Sequence, residues 1–176
     1  MTNPDQSFAV DVSPGELHFN SAHFITFGGT CENLHGHNFH VRLGAEGSNT
    51  DDAFVIDFVL LNRLAAEVCL GLHDKVLVPG QSREVSWCAD GGQVQVESYG
   101  KRFTLPAENC AVLPVSNTTA EMLAWYILET LLPRLQAQAS LAKVEVLQVA
   151  VEEADRQWGI CRRRVGSGRL AYERTA

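Results

Sequence analysis

In residues 35–45, histidine and apolar side chains occupy every second position, and glycine or polar side chains occupy the positions between them. This alternation constrains the fold more than any other feature of the chain. A period of two residues predicts a half-buried β-strand, because successive side chains of a strand point to opposite faces. One face holds His37, Phe39, Val41 and Leu43, and the other holds Asn38, His40 and Arg42. The chain should therefore contain a sheet with one face against a core.

Other segments supply partners for this strand. A hairpin is predicted ahead of it, with strands at 8–12 and 17–24 around a turn at Ser13-Pro14-Gly15. A further strand at 143–153 carries an apolar stripe that ends in the carboxylate of Glu153. The basic segment from Arg162 onward is expected to be a solvated terminus or a sheet edge.

Two helices are predicted between the strands. Asp57 is a candidate N-cap for a helix over 58–72, whose apolar positions recur at helical spacing. Thr118-Thr119-Ala120-Glu121 is a capping box that opens the second helix, which Pro133 should end or kink.

The stretch 79–112 is polar and rich in glycine. Its alternating runs at 93–97 and 101–105, joined by Tyr99-Gly100, predict a hairpin inserted into a single domain spanning 1–176.

Composition limits the class of protein. With 176 residues, 45% of them hydrophobic, the chain can bury a substantial core, and its net charge of −7 argues against nucleic-acid binding. The sequence has no apolar run long enough to span a membrane and no export signal at its start, so we expect a cytoplasmic protein. Five scattered cysteines without a CxxC pair argue against disulfides and thiolate zinc sites, and Cys69, Cys88, Cys110 and Cys161 are expected to be small buried side chains.

The pair His35 and His37 carries the strongest chemical signal. Residues two apart on a strand share a face, so both rings can reach one ion, and His23 on the preceding strand is a natural third ligand. Three imidazoles around Zn²⁺ leave a fourth position open, as in catalytic zinc sites. The alternative is that these are separate structural histidines, which is how we interpret His18 and His40 on the opposite face.

Three further features suggest chemistry. Cys31 precedes His35 by four residues, so its thiol could stand beside a metal as a base, or simply be a buried apolar group. His73 and Asp74 follow the first helix as an acid–base candidate or a surface polar pair. Glu153 could accept two parallel N–H donors from a ligand, or be solvated.

Taken together, these segments resemble the 6-pyruvoyltetrahydropterin and 6-carboxytetrahydropterin synthase family. The motifs are Phe19-Asn-Ser-Ala-His23, Cys31-Glu-Asn-Leu-His35-Gly-His37-Asn-Phe39, Val55-Ile-Asp57-Phe, Leu72-His-Asp-Lys75, Asn117-Thr-Thr-Ala-Glu121 and Val151-Glu-Glu-Ala154. The resemblance implies an α+β tunnelling fold: a four-stranded antiparallel sheet with two helices on one face, here with an inserted hairpin. It also implies an oligomeric barrel, a hexamer built from two trimers, with sites at subunit interfaces.

The resemblance further implies bound Zn²⁺ and a pterin substrate, usually 7,8-dihydroneopterin triphosphate. In the family pattern His23, His35 and His37 would hold zinc, and Cys31 would remove a proton, assisted by His73 and Asp74. Glu153 would anchor the pterin, with Thr118 or Thr119 assisting. The short step from Cys31 to His35 resembles the queuosine-pathway branch and favours 6-carboxytetrahydropterin synthase.

Two departures from the family pattern keep other functions open. The family reads Leu-Asp-His-Lys where this chain reads Leu72-His73-Asp74-Lys75, and the segment 79–112 is longer than its family counterpart. The alternatives are a 6-pyruvoyltetrahydropterin synthase, an aldolase-like pterin side-chain enzyme, and a non-catalytic zinc- and pterin-binding protein. A zinc hydrolase fits less well, because it gives Cys31 and Glu153 no shared role.

Overall fold

The computed structural model describes residues 6–13, 15 and 17–165. The strands of this part are β1 (Phe8–Val12), β2 (His18–His23), β3 (Thr26–Phe27), β4 (Thr30–Cys31), β5 (His35–Gly47), β6 (Lys75–Pro79), β7 (Ser86–Asp90), β8 (Gln93–Ser98), β9 (Lys101–Pro106), β10 (Cys110–Leu113), β11 (Val144–Ala154) and β12 (Gln157–Arg164). The helices are α1 (Phe58–Leu70) and α2 (Ala120–Gln138), and a single 3₁₀ turn spans Ala107–Asn109.

The main sheet of the described residues has seven strands rather than the expected four, and it is mixed rather than antiparallel. Its order is β10-β6-β2-β5-β11-β12, with β1 paired to β5, and both β10 and β2 run parallel to β6. The long antiparallel strands β2, β5 and β11 form its centre. The difference arises from β1, β6 and β10, which have only four or five residues each, too few for a sequence pattern to specify their partners.

The predicted first hairpin is wrong. β1 pairs with the far end of β5, Phe8 opposite Gly47, instead of with β2. Pro14, in the expected turn, and the chain beyond residue 165 lie outside the described residues. β12 pairs with β11 as the last strand in the sheet order, so the basic segment through Arg164 is an edge, as one of the two sequence interpretations held.

Both helices bury one stripe against the same face of the sheet. Asp57 caps α1 as predicted, its carboxylate accepting the amides of Val59 and Leu60 at 2.8 and 3.2 Å. The capping box of α2 is displaced by one residue, because Thr119 is the N-cap and accepts the amide of Met122 at 3.4 Å. Pro133 does not end α2, which continues to Gln138.

A single core joins these elements. Phe19 and Phe39 stack between the sheet and the helices with centroids 4.8 Å apart, and both are fully buried. The apolar face of β11 and the inner stripes of both helices complete the core. Gly159 of β12 allows the close approach of α2, since a Cβ there would lie 2.3 Å from the backbone of Ala120.

The segment expected to be an inserted hairpin is a three-stranded antiparallel sheet formed by β7, β8 and β9. The predicted turn is confirmed: Tyr99 and Gly100 both adopt positive φ, 45° and 79°, as a two-residue hairpin turn requires. Val94 and Val96 pack with Phe24, Val78 and Val85 in a second, smaller apolar cluster.

Across the described residues, neither helix combines the length and the apolar character that a membrane-crossing helix needs.

Candidate metal centre and active site

Four potential metal ligands converge at one end of the sheet. His23 ends β2, His35 and His37 begin β5, and Glu153 lies near the end of β11. Strand register explains the convergence, because His23 pairs directly with His35, and side chains that lie opposite each other share a face. One ligand atom from each residue lies within 4.8 Å of all the others.

The spacing of the three rings suits a common ion. Their centroids are 4.6, 5.0 and 5.2 Å apart. Imidazoles that share a tetrahedral ion through bonds of about 2.1 Å place their centroids roughly 5 Å apart. The predicted association of His23, His35 and His37 is therefore present in the fold.

Backbone carbonyls orient two of the rings. Nδ1 of His23 lies 2.9 Å from the carbonyl oxygen of Thr118, and Nδ1 of His35 lies 2.8 Å from that of Asn33. A carbonyl only accepts, so each Nδ1 carries the proton and each neutral ring keeps its lone pair on Nε2. Such outer hydrogen bonds fix the tautomer that a metal requires.

The buried Nε2 atom of His23 provides a test of whether these residues fit a metal. It lies 3.1 Å from Oε1 of Glu153, and Nε2 of His37 lies 3.8 Å from the same oxygen. While the His23 ring is neutral, this contact contains no hydrogen, and within the described residues the atom has no hydrogen-bond partner. A lone pair facing a carboxylate is repulsive unless a cation lies between them, and three imidazoles with one carboxylate are ligands that Zn²⁺ accepts. The residues therefore fit Zn²⁺.

Burial and charge favour the states that bind a cation. The pKa of His37 is lowered, first by burial and then by the neighbouring His23, so the neutral ring persists at lower pH. The pKa of Glu153 is also lowered, foremost by the hydrogen bond that Nε2 of His23 donates to it when the ring is protonated. The carboxylate thus stays ionised beside the histidines.

Cys31 lies outside this cluster of four. Its side chain is buried at 7% exposure and packs with Phe24 and Val78 in the second apolar cluster. Its thiol donates to the carbonyl of Glu32 at 3.4 Å.

Glu32 is a candidate that the sequence analysis missed. Its half-buried side chain carries a charge that raises the pKa of His37, against the larger effects of burial and of His23. Its position between Cys31 and His35 is the sequence feature that could have identified it as a candidate site residue.

Thr118 and Thr119 both have structural partners. Thr118 is fully buried, its hydroxyl donates to the carbonyl of Phe24 at 2.7 Å, and its own carbonyl orients His23. Thr119 caps α2. Thr118 therefore positions the His23 ring through the Nδ1 atom.

His73 and Asp74 line different cavities. Asp74 adopts a left-handed φ of 56° and lines an open cavity of about 660 Å³ together with His37 and Lys75. His73 instead lines a smaller cavity with His18 and Cys69. The two side chains still approach each other, with Nε2 of His73 3.7 Å from Oδ2 of Asp74.

The three-stranded sheet of β7, β8 and β9 contacts the loop that precedes the candidate metal ligands. Nζ of Lys101 donates to Oδ1 of Asn33 at 2.7 Å, and the backbone carbonyl of Asn33 accepts the proton of His35. Lys101 at the start of β9 is thus linked to a candidate metal ligand through one intervening residue.

The expectation for the remaining cysteines is only partly confirmed. Cys69 is buried, Cys110 and Cys161 are half-buried, and Cys88 on β7 is exposed.

Comparison with known proteins identifies the family. The profile described as 6-pyruvoyl tetrahydropterin synthase matches residues 15–164. The chain belongs to the 6-pyruvoyl tetrahydropterin synthase family. This confirms the resemblance drawn from the sequence motifs.

Relatives of this family cover nearly the whole chain. A Methanocaldococcus jannaschii protein, named provisionally as a 6-carboxy-5,6,7,8-tetrahydropterin synthase, is 29% identical over 149 residues, which are 84% of this chain and 90% of that protein. The solved 6-pyruvoyltetrahydropterin synthase of Plasmodium vivax is 29% identical with a TM-score of 0.81, and that of Plasmodium falciparum is 27% identical with a TM-score of 0.82. Both alignments cover 92% of this chain and 100% of the solved chain. Another P. vivax structure has alanine in place of a glutamate that is described as a catalytic residue.

Proposed function

We propose that the protein is a zinc-dependent lyase that converts 7,8-dihydroneopterin triphosphate to 6-carboxy-5,6,7,8-tetrahydropterin. The observation that carries this proposal is the convergence of His23, His35 and His37 with Glu153, in a chain of this family. Water enters the reaction, and triphosphate and acetaldehyde leave. The name of the M. jannaschii relative supports the 6-carboxy product.

The three histidines are proposed to hold Zn²⁺ through their Nε2 atoms, with the tautomers of His23 and His35 fixed by the carbonyls of Thr118 and Asn33. Bound zinc supplies a Lewis acid that makes a carbon-bound proton next to a coordinated oxygen more acidic. The protein then needs a base to receive that proton and a group to orient the ring.

Glu153 is proposed as the group that orients the pterin. Its lowered pKa keeps it ionised, and a carboxylate accepts two parallel N–H donors such as those of a 2-aminopterin ring. Its distance of 3.1 Å from Nε2 of His23 also allows it to ligate the metal while no substrate is bound. When substrate binds, the carboxylate of Glu153 would leave the metal and accept the N–H donors of the pterin.

Two residues are candidates for the base. The sequence motif assigns this role to Cys31, whose thiol is buried in an apolar cluster. The carboxylate of Glu32 lies close enough to His37 to affect its pKa, and the P. vivax relative has a glutamate described as catalytic. We propose that Glu32 shares or replaces the role of Cys31.

Asp74 is proposed to move a second proton. It lines the cavity that His37 also walls, and His73 lies 3.7 Å from its carboxylate. His73 and Asp74 stand in the reverse of the family order, and Asp74 rather than His73 therefore lines this cavity. A cavity of about 660 Å³ is of the size that holds a small ligand.

A 6-pyruvoyltetrahydropterin synthase is the second candidate, because the solved relatives carry that name. Both candidates use the same substrate and the same metal ligands. We also propose the hexameric assembly that the resemblance implies, with sites completed between subunits.

The deciding experiment is incubation of the zinc-loaded protein with 7,8-dihydroneopterin triphosphate, followed by mass spectrometry of the products. A 6-carboxy product with acetaldehyde supports the first candidate, and a 6-pyruvoyl product supports the second. Unchanged substrate from a sample with one zinc per chain would overturn both. The His35→Ala variant is the matched control, because it should lose zinc and turnover together.

A further inference from the structure

A second group of metal-binding side chains lies on the other face of the main sheet. His18 pairs directly with His40, and His40 pairs directly with Glu152, so the three residues form one row across β2, β5 and β11. Their neighbours Phe19 and Phe39 are buried in the core, so both histidines of the row point away from it. Directly paired residues place their Cβ atoms about 5 Å apart.

The carboxylate of Glu152 lies beside the ring of His40. Nδ1 of His40 lies 3.4 Å from Oε2 of Glu152, and the other oxygen of this carboxylate accepts the amide of Arg156 at 2.8 Å. An ionised carboxylate only accepts, so its position beside Nδ1 of His40 favours the tautomer whose lone pair is on Nε2. A carboxylate beside an imidazole is a common outer shell of a metal-binding histidine.

His18 is placed to share an ion with His40. Their ring centroids are 6.4 Å apart, against 4.6–5.2 Å among the rings of the first cluster. A common ion with bonds of about 2.1 Å would require the rings to approach by roughly 1 Å. Both side chains are exposed, so a change of side-chain torsion can supply that approach.

His73 extends the row, with its ring 6.1 Å from that of His18, but it cannot be a ligand in this arrangement. Its Nδ1 accepts the amide of Asn20 at 3.4 Å. A neutral imidazole has one acceptor nitrogen, so its Nε2 carries the proton and has no lone pair for a metal.

We propose that His18 and His40 form a second binding site for a divalent transition ion such as Zn²⁺, with Glu152 orienting His40 and water completing the coordination. Imidazole is a good ligand for zinc, copper and nickel ions. The site is separate from the His23, His35 and His37 cluster, because it lies on the opposite face of the sheet. It does not depend on the proposed lyase activity.

The test is titration of the metal-free full-length protein with Zn²⁺, followed by calorimetry and by NMR of the histidine side chains. We expect a tight first equivalent and a weaker second one, and the second should shift the ring signals of His18 and His40. His18→Asn and His40→Asn should each weaken the second event at least tenfold, and Glu152→Gln should weaken it roughly tenfold.

Two controls separate this site from its neighbours. His35→Ala should remove the tight event and keep the weaker one, and His73→Asn should leave both unchanged. The replaced histidines of the second site are exposed, and circular dichroism checks that each variant remains folded. A single zinc equivalent up to millimolar metal, or a second event that survives both His18→Asn and His40→Asn, would overturn the proposal.

Discussion

Nδ1 of His23 donates to the backbone carbonyl of Thr118 across 95 positions of sequence, at 2.9 Å. This bond attaches a candidate metal ligand at the end of β2 to the residue that precedes the N-cap of α2. The hydroxyl of Thr118 makes a second attachment, to the carbonyl of Phe24 at 2.7 Å. The position of the metal site is therefore coupled to the packing of α2.

Thr118→Val should reduce both stability and zinc affinity. The substitution leaves the carbonyl of the fully buried Phe24 without its donor, which costs about 1–3 kcal/mol of unfolding free energy. The resulting shift of the backbone behind His23 should weaken zinc binding by roughly 10-fold or more. Denaturant unfolding and competition with a chelator measure the two effects. Thr118→Ser keeps the hydroxyl and should restore both, so an equal loss in the serine variant would contradict this explanation.

The sequence predicted that the three candidate histidines share a face because strand periodicity is local. Alternation in 35–45 is enough to place His35 and His37 on one face, and the confirmed strand β5 carries them there. The approach of Glu153 to His23 depends on the pairing of β5 with β11, which no local pattern specifies.

Features that depend on long-range pairing or on backbone atoms were not predictable in this way. The residues that pair with β1 are 31 to 39 positions away along the chain. The group that orients His23 is a backbone carbonyl, which every residue possesses. The edge strand β7 is exposed along its whole length, and only one residue of the edge strand β12 is buried. Neither strand therefore shows the alternation that identifies a half-buried strand.

Replacement of Cys31 and of Glu32 should identify the base. If Glu32 receives the proton, Glu32→Gln should lower kcat by 10²–10⁴-fold, and Cys31→Ala should have a smaller effect. Both variants should retain zinc, since neither residue belongs to the ligand cluster. The reverse order of effects on kcat would assign the role to Cys31, and near-normal turnover in both single variants and in the double variant would exclude both residues.

Asp74→Asn should reduce turnover more than His73→Asn. Only Asp74 lines the cavity walled by His37, and the substitution removes its proton-accepting charge while keeping its shape. Asparagine also tolerates the left-handed φ of 56° at this position, so folding should be preserved. Single-turnover kinetics on both variants measure the difference. A larger loss in His73→Asn would show that the imidazole is the active member of the pair.

Lys101→Met should loosen the loop that orients His35. The substitution removes the donor to Oδ1 of Asn33, whose carbonyl holds the His35 ring, so zinc should dissociate several-fold faster. Hydrogen exchange of residues 32–34 should rise as well. Lys101→Arg retains a cationic donor and should remain close to the original protein. Unchanged zinc release in Lys101→Met would mean that the sheet of β7, β8 and β9 does not affect the metal site.

The thiol of Cys69 should make the protein lose stability at alkaline pH. Burial in α1 raises its pKa from 9.0 to about 12, so the folded state keeps the proton that the unfolded chain releases above pH 9. The contribution of this thiol to the free energy of unfolding is therefore fully present below pH 9 and is lost between pH 9 and about 12, at roughly 1 kcal/mol per pH unit.

Denaturant unfolding at pH 8 and pH 10 should show a smaller fall in stability for Cys69→Ala than for the original protein. Cys88→Ala is the matched control, because Cys88 is exposed and its replacement should leave the pH dependence unchanged. Equal falls in stability in all three proteins would show that the Cys69 thiol does not resist ionisation in the folded state.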